Sequence, residues 1–531
     1  MTRSLTAGLC ALLLLFVATS AQARLPAAAI ASAHPLATEA GFEILDQGGN
    51  AFDAAVAVSA ALAVVEPYGS GMGGGGFWLL HQADGQRQVM IDGRETAPGA
   101  ASRDMYLDNR GQVVRDWAIN GPSAAGIPGQ PAALAHLAGR YGRLPLAASL
   151  APAIRLASEG FAVDEHYRRM ALIRRDVLNR SPDARRIFLN NGEVPPTGHR
   201  IVQPELAAVL TVLAEQGHDG FYRGELAEKL VNGVMDNGGL WSLEDLAAYR
   251  VVEREPVVGQ FRGARIVSAA PPSSGGIVLI QALNILEHFN DGRPDPALLP
   301  HLAVESLRRA YRDRALHLGD PDFVEIPLAR LTAKDYASAQ ASSIRLDRAT
   351  PSAELGQAPA VTQGDNTSHF SIIDEQGNRV SATLSINLPF GSGFVVPGTG
   401  ILLNNEMDDF SANPGAPNAY GLIGGDANAI APGKRPLSSM TPTFIEWDGK
   451  VAILGTPGGS RIISMVMLAA LEALDGKAPE EWVSRPRFHH QFQPDRVEGE
   501  PDFVGTTAGK SLMVRGHEIE GTGRRYGNMQ A

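Results

Sequence analysis

The apolar residues change their period once along this chain, and that change limits the fold more than any single motif does. From Ala37 to Val65 they recur at helical spacing, as in Ala54-Ala55-Val56-Ala57 and Ala60 to Val65. Gly48-Gly49-Asn50 breaks the pattern and reads as a helix stop with a new start at Asp53. The stretch from about Gly126 to Leu316 is rich in Ala and Leu and mostly helical in pattern. After Val361 the texture is that of strands. Phe370 to Ile373 and Val380 to Ile386 flank the turn Asp374 to Asn378, and Thr443 to Trp447 and Val451 to Gly455 flank Asp448-Gly449, a strong hairpin signal. A helical part followed by a strand-rich part predicts a layered α+β protein. With 531 residues, 44% of them apolar, the chain can fill a large core.

Arg3, the apolar run Leu9 to Val17 and the small-x-small site Ala21-Gln22-Ala23 have the order of a secretory signal peptide, residues 1–23. The run is too short to cross a bilayer, which disfavours an N-terminal anchor, and Leu9-Cys10 does not resemble a lipoprotein cleavage box. Cys10 is the single cysteine and leaves with the signal, so the mature chain is expected to use neither thiol chemistry nor disulfides. Export without disulfides suits a bacterial periplasm, or secretion. A net charge of -11 with no long run of either sign points to no nucleic-acid partner and, after signal removal, no membrane partner.

Two phosphate-loop lookalikes fail on context. Gly69 to Gly74 fits GxGxxG but follows a helical run and precedes the strand-like Phe77 to His81, the reverse of a dinucleotide fingerprint. Gly505 to Ser511 is one residue short of a phosphate loop. The 13 histidines show no paired helical spacing suited to zinc, and His489-His490 beside Arg487 read as structural.

The chemistry lies in Asn366-Thr367-Ser368-His369-Phe370-Ser371. A turn centred on Gln376 with strands in register places Thr367 opposite Ser385, close enough for their hydroxyls to hydrogen-bond. Such pairs are common in sheets for structural reasons alone. Strand alternation puts His369 on the face of Thr367 without giving it a task.

Thr367-Ser368-His369-x-Ser371-Ile372, then Gly377-Asn378, Thr383, Asn387 and Phe390-Gly391, resembles the nucleophile signature of the γ-glutamyltranspeptidases. Further blocks resemble that family in the same order, from about Ala33 to Gln491: Gly48 to Ala51, Gly73 to Phe77, Arg94 to Pro98, Pro271 to Gly276, Leu318 to Pro321, Leu403 to Phe410, Pro436 to Met440 and Pro457 to Ser460. The resemblance implies an N-terminal-nucleophile hydrolase, an α+β four-layer αββα sandwich built from two chains of one precursor. Autocatalytic cleavage of the Asn366–Thr367 bond would leave a large subunit, 24–366, and a small subunit, 367–531, as a heterodimer. A threonine hydroxyl needs a base, and cleavage supplies one in the same residue, an α-amino group with a reference pKa of about 7.7–8.0.

By the same resemblance Gly458 and Gly459 supply backbone N–H groups to the oxyanion. Arg94 binds the substrate α-carboxylate with help from Ser438 and Ser439. Glu406 and Asp409 bind the α-ammonium with Asn387 beside them, and Ser385 is the hydroxyl partner of Thr367. Pro417 to Lys434, with Asp426 and Asn428, resembles a lid over the glutamyl pocket. The expected substrates are glutathione, other γ-glutamyl compounds, and amino-acid or peptide acceptors; no metal or organic cofactor is implied. The family usually continues through one more strand beyond the position of Ala531, so an end there is expected to leave a sheet edge bare, affecting yield and maturation rather than the reaction. Two other readings remain open at this point: a glutaryl (cephalosporin) acylase, which has no use for Glu406 and Asp409, and an uncleaved periplasmic protein that only binds γ-glutamyl compounds.

Overall fold

The computed structural model describes residues 27–356, 367–411 and 425–531, so the signal segment, Asn366 and the first part of the expected lid lie outside it. In chain order the strands of its two central sheets are β1 (Ala29–Ser32), β2 (Gly75–Gln82), β3 (Arg87–Gly93), β4 (Val252–Arg254), β5 (Val257–Phe261), β6 (Ala264–Ser268), β7 (Ser368–Ile373), β8 (Arg379–Ser385), β9 (Thr443–Trp447) and β10 (Lys450–Leu454). They form antiparallel sheets in the orders β1-β7-β8-β2-β3-β4 and β10-β9-β6-β5.

Alternation within single strands assigns the layers. Trp78 and Leu80 join Phe370, Ile372, Val380, Ala382 and Leu384 in a core under α1 (Pro35–Asp46) and α2 (Ala51–Val65), while Phe77, Leu79 and Met90 point the other way into a second core. That second core also holds residues of β5, β6, β9 and β10 and of α4 (Gly275–Glu287), α5 (Leu299–His317) and α6 (Arg461–Leu474). The result is helix, sheet, sheet, helix, the expected αββα sandwich. A further helix, α3 (Glu165–Leu178), packs through Tyr167 against Tyr68 and Phe390.

At β7 and β8 the face between the sheets is polar, and each group finds a partner. Ser371 and Ser381 donate across the layer to the carbonyls of Ile453 and Leu454, both at 3.2 Å. His369 is fully buried with Nδ1 2.8 Å from Thr383 Oγ1, and burial lowers its pKa to about 3, so it stays neutral, a packing residue as expected.

The hairpin register follows the turn. Ile373 pairs with Arg379 and Ser368 with Leu384, so Thr367 and Ser385 are the next positions across. Lys450, not Val451, opens the strand after Asp448-Gly449. The second helix begins at Ala51 rather than Asp53, because Asn50 caps it: its side chain accepts from the N–H groups of Phe52 and Asp53, and Asp53 returns the bond at 2.9 Å. Every residue of α2 is buried, which its nearly all-apolar sequence requires. Just past β10, Gln530 pairs with Gly455. Among the described residues no helix is long and apolar enough to cross a membrane.

Candidate active site

Arg94 sits one residue beyond β3. Asp92 accepts its N–H at 3.0 Å and is itself held by Arg254 at 2.8 Å, so the strand end is fixed before the side chain is reached. The guanidinium is 1% exposed and all its nitrogens are used: Nε donates to the Pro436 carbonyl at 3.1 Å, Nη1 to Glu406 at 2.6 Å and Nη2 to Asp409 at 2.5 Å. Glu95 stands 3.7 Å from Nη1.

The segment bearing Glu406 and Asp409 is wired to the start of β2. Asn404 donates to the carbonyls of Gly73 and Gly126 at 2.7 and 2.9 Å, and its side-chain oxygen accepts from Glu406 N–H at 3.0 Å. The glycines that looked like a phosphate loop serve this close approach: a Cβ on Gly73 would lie 2.1 Å from the Leu402 carbonyl oxygen. Asn387, at φ 74°, occupies the left-handed region that asparagine tolerates; its side chain donates to the Asn405 carbonyl and its N–H to Ser385 Oγ, both at 2.8 Å.

Ser438 and Ser439 are cradled by Pro271 to Gly276. Ser438 N–H donates to Pro272, and Ser274 donates back to the Ser438 carbonyl through both N–H and Oγ. Buried Arg314 of α5 donates to Ser274 Oγ at 2.9 Å and to Ser439 Oγ at 3.2 Å. Of the expected lid, residues 417–424 lie outside the described chain. Asn428 is buried and donates to the Asp409 carbonyl at 2.7 Å, whereas Asp426 is exposed beside Arg103.

These groups converge. Thr367, Ser385, Asn387, Arg94, Glu406, Asp409, Ser438, Ser439 and Gly459 line one narrow cavity of about 30 Å³. Gly458, with φ 140°, adjoins it; a Cβ there would meet Met465 Cε at 2.6 Å. Among the described residues no acceptor takes the N–H of Gly458 or Gly459, whose carbonyls accept from Arg461 and Ile462 at the start of α6.

Three carboxylates therefore surround one arginine in a dry site. Burial alone would lower the Arg94 pKa, but Glu406, Asp409 and Glu95 outweigh it and hold the guanidinium charged. Burial pushes Glu406 well up and Glu95 to about 7, with Arg94 opposing in both. The residues about Arg94 carry more acid than base.

The sequence profile of the gamma-glutamyltranspeptidase family matches residues 37–531. The chain belongs to this family. It is 43% identical over 496 residues to the glutathione hydrolase proenzyme of Escherichia coli (strain K12), covering 92% of this chain and 85% of that one. Among solved structures it resembles the cephalosporin acylase from Bacillus halodurans (TM-score 0.79, 30% identity, 94% and 89% of the two chains). It also resembles the γ-glutamyltranspeptidase of Helicobacter pylori (TM-score 0.59, 39% identity, 61% of this chain and 95% of that one).

Reading this γ-glutamyltranspeptidase family member from its sequence passed over Glu95 and Arg314. Glu95 lies inside the segment Arg94 to Pro98; Arg314 has no local signal, since only the fold brings α5 behind Ser439. His301 and Glu305, four apart on α5, show no paired-histidine spacing in the sequence, yet they meet His517 in a buried cluster. Arg309 donates to Glu305 at 2.6 Å with Arg308 at 3.5 Å, and the two imidazoles hydrogen-bond at 2.8 Å, so the charge a cation would satisfy is already met.

Proposed function

We propose that the protein is an exported precursor cut between Asn366 and Thr367, whose subunits 24–366 and 367–531 together transfer the γ-glutamyl group of glutathione and γ-glutamyl amides to water, amino acids or peptides. The observation that carries this reading is one cavity holding Thr367 together with a single arginine and its carboxylates. The Thr367 α-amine takes the hydroxyl proton, Oγ attacks the γ-carbonyl, and the oxyanion meets the N–H groups of Gly458 and Gly459. The leaving amine departs with the proton, and an ester on Thr367 awaits water or a second amine.

Recognition is an exchange of partners. Within the protein Arg94 is bound to Glu406 and Asp409. A γ-glutamyl group brings both signs: its α-carboxylate takes Arg94, with Ser438 and Ser439, while its α-ammonium takes the released acids. A glutaryl group brings only the anion and leaves those acids buried and unpaired, a cost of about 3–5 kcal/mol. That favours glutamyl over the acylase reading despite the likeness to an acylase structure. Expected result: p-nitroaniline is released from γ-glutamyl-p-nitroanilide at least ~100-fold faster, in kcat/KM, than from the glutaryl anilide. Equal rates would refute the reading.

The ammonium needs ionised carboxylates. Glu95, with its pKa raised to about 7 by burial, holds a proton below that pH and must release it as the cation arrives. The donor KM is therefore expected to fall as pH rises through about 7, and Glu95→Gln to flatten that fall. The sign for stability is opposite: a carboxyl with a raised folded pKa favours the folded state at low pH and loses that contribution as pH rises to the folded pKa. A KM independent of pH across this window would exclude the proton exchange.

A further inference from the structure

Arg314, in the last turn of α5, is 3% exposed, and among the described residues it forms no ion pair. Arg308 and Arg309, earlier on the same helix, share Glu305 instead. A guanidinium keeps its charge inside a protein, and burying it without an acid is costly. The fold accepts here a cost that an anion held nearby would offset.

The hydrogen bonds of Arg314 lead to the donor pocket. Nε donates to Ser274 Oγ at 2.9 Å and Nη2 to Ser439 Oγ at 3.2 Å, while Ser274 Oγ donates onward to the Ser438 carbonyl at 2.7 Å. A hydroxyl has one proton to give and two lone pairs. Ser439 Oγ accepts from Arg314 and Ser438 Oγ from the Met440 N–H at 3.1 Å, and among the described residues neither hydroxyl donates. With the oxygens held from behind, both protons are left for the cavity that Ser438 and Ser439 line. Burial lowers the Arg314 pKa, while Tyr311 and the Asp409 carboxylate on the cavity wall oppose that, so its charge is felt in the pocket.

We propose that Arg314 is a positioning residue that selects donors with an α-carboxylate: it turns the Ser439 proton toward that group and sets a second positive charge behind the serine. The inference rests on the γ-glutamyl reading above, in which Arg94, Ser438 and Ser439 take the carboxylate. Arg94 must exchange Glu406 and Asp409 for the substrate, whereas Arg314 has no acid to give up. Its half of the carboxylate site is therefore preorganised, and little of its attraction is lost to rearrangement.

The test compares two donors on the processed enzyme: γ-glutamyl-p-nitroanilide, and 4-aminobutyryl-p-nitroanilide, which keeps the ammonium and lacks the carboxylate. In Arg314→Gln and in Arg314→Met the KM for the γ-glutamyl anilide is expected to rise at least ~10-fold, and the kcat/KM preference for it to shrink at least ~10-fold. Arg314→Lys, which keeps the charge, recovers part of both. The melting temperature of Arg314→Met is expected to stay within a few degrees of the parent, because an unpaired buried charge has gone. A brace with no part in recognition would slow both donors alike, so an equal loss overturns the assignment. An unchanged KM in both neutral variants does the same, as does a failure of both to fold. A parent protein that cleaves the two anilides equally well overturns carboxylate recognition itself. One that releases no p-nitroaniline from the γ-glutamyl anilide overturns the underlying transfer reading instead.

Discussion

Thr367→Ala is expected to accumulate as one uncut chain with no γ-glutamyl hydrolysis or transfer, while the parent protein separates into two bands, the smaller beginning at Thr367. The expected loss is on the order of 10⁶-fold, the scale seen when an acyl-transfer enzyme loses its nucleophile. The argument turns on one residue doing two jobs. Before cleavage its nitrogen is an amide and cannot act as a base; after cleavage the amine and the hydroxyl are held together covalently, so little positioning entropy remains to be lost.

The fold gives little reason for this variant to unfold. Thr367 lies just outside the paired part of β7, whose register is carried by Ser368 to Ile373. The melting temperature is therefore expected to stay within a few degrees of the parent, and Thr367→Ser, which keeps both functional groups, to be cut and active. A cut or active Thr367→Ala protein, or a fully active parent that remains unbroken, would end the proposal.

Features legible in the sequence were those fixed by local periodicity and turn chemistry. The centre of the turn at Gln376 gave the register that sets Thr367 across from Ser385, and Gly48-Gly49-Asn50 marked the helix boundary, misplaced by two residues because Asp53 acts from inside the capping box. In the sequence the site residues stand as separate expectations, each for a different part of the substrate. What the sequence hid is that they are one another's partners within the protein: Arg94 lies 312 residues from Glu406 and 315 from Asp409 along the chain, and only the stacking of the layers closes that distance. Burial was hidden for the same reason. Glu66, Glu95 and Arg314 read as ordinary charged residues until the fold removes their water; burial then pushes both carboxyls up to about 7 and the Arg314 guanidinium down.

That mutual pairing changes what to expect of the second large-effect substitution. Arg94→Ala removes the cation for the substrate carboxylate, and losing its charge-assisted bonds, about 1.5–3 kcal/mol each, raises the donor KM at least ~100-fold. It also strands Glu95, Glu406 and Asp409 in a dry site, so it is expected to cost about 3–5 kcal/mol of stability, as breaking a buried ion pair does. Asp409→Ala behaves differently. It removes one of three like charges around a single guanidinium, so KM rises at least ~10-fold while the melting temperature changes little. Both variants should still self-cleave, since neither residue is the nucleophile or its base. The decisive comparison is the double variant. If Arg94 is the counter-ion of Asp409, as their 2.5 Å separation implies, then Arg94→Ala/Asp409→Ala is more stable than Arg94→Ala alone, because one stranded carboxylate has gone. Thermal melts of the four proteins at fixed pH, beside their donor KM values, measure this directly. Strictly additive losses of stability would show that the acids are not held by Arg94, and with that the partner-exchange account of recognition would fall.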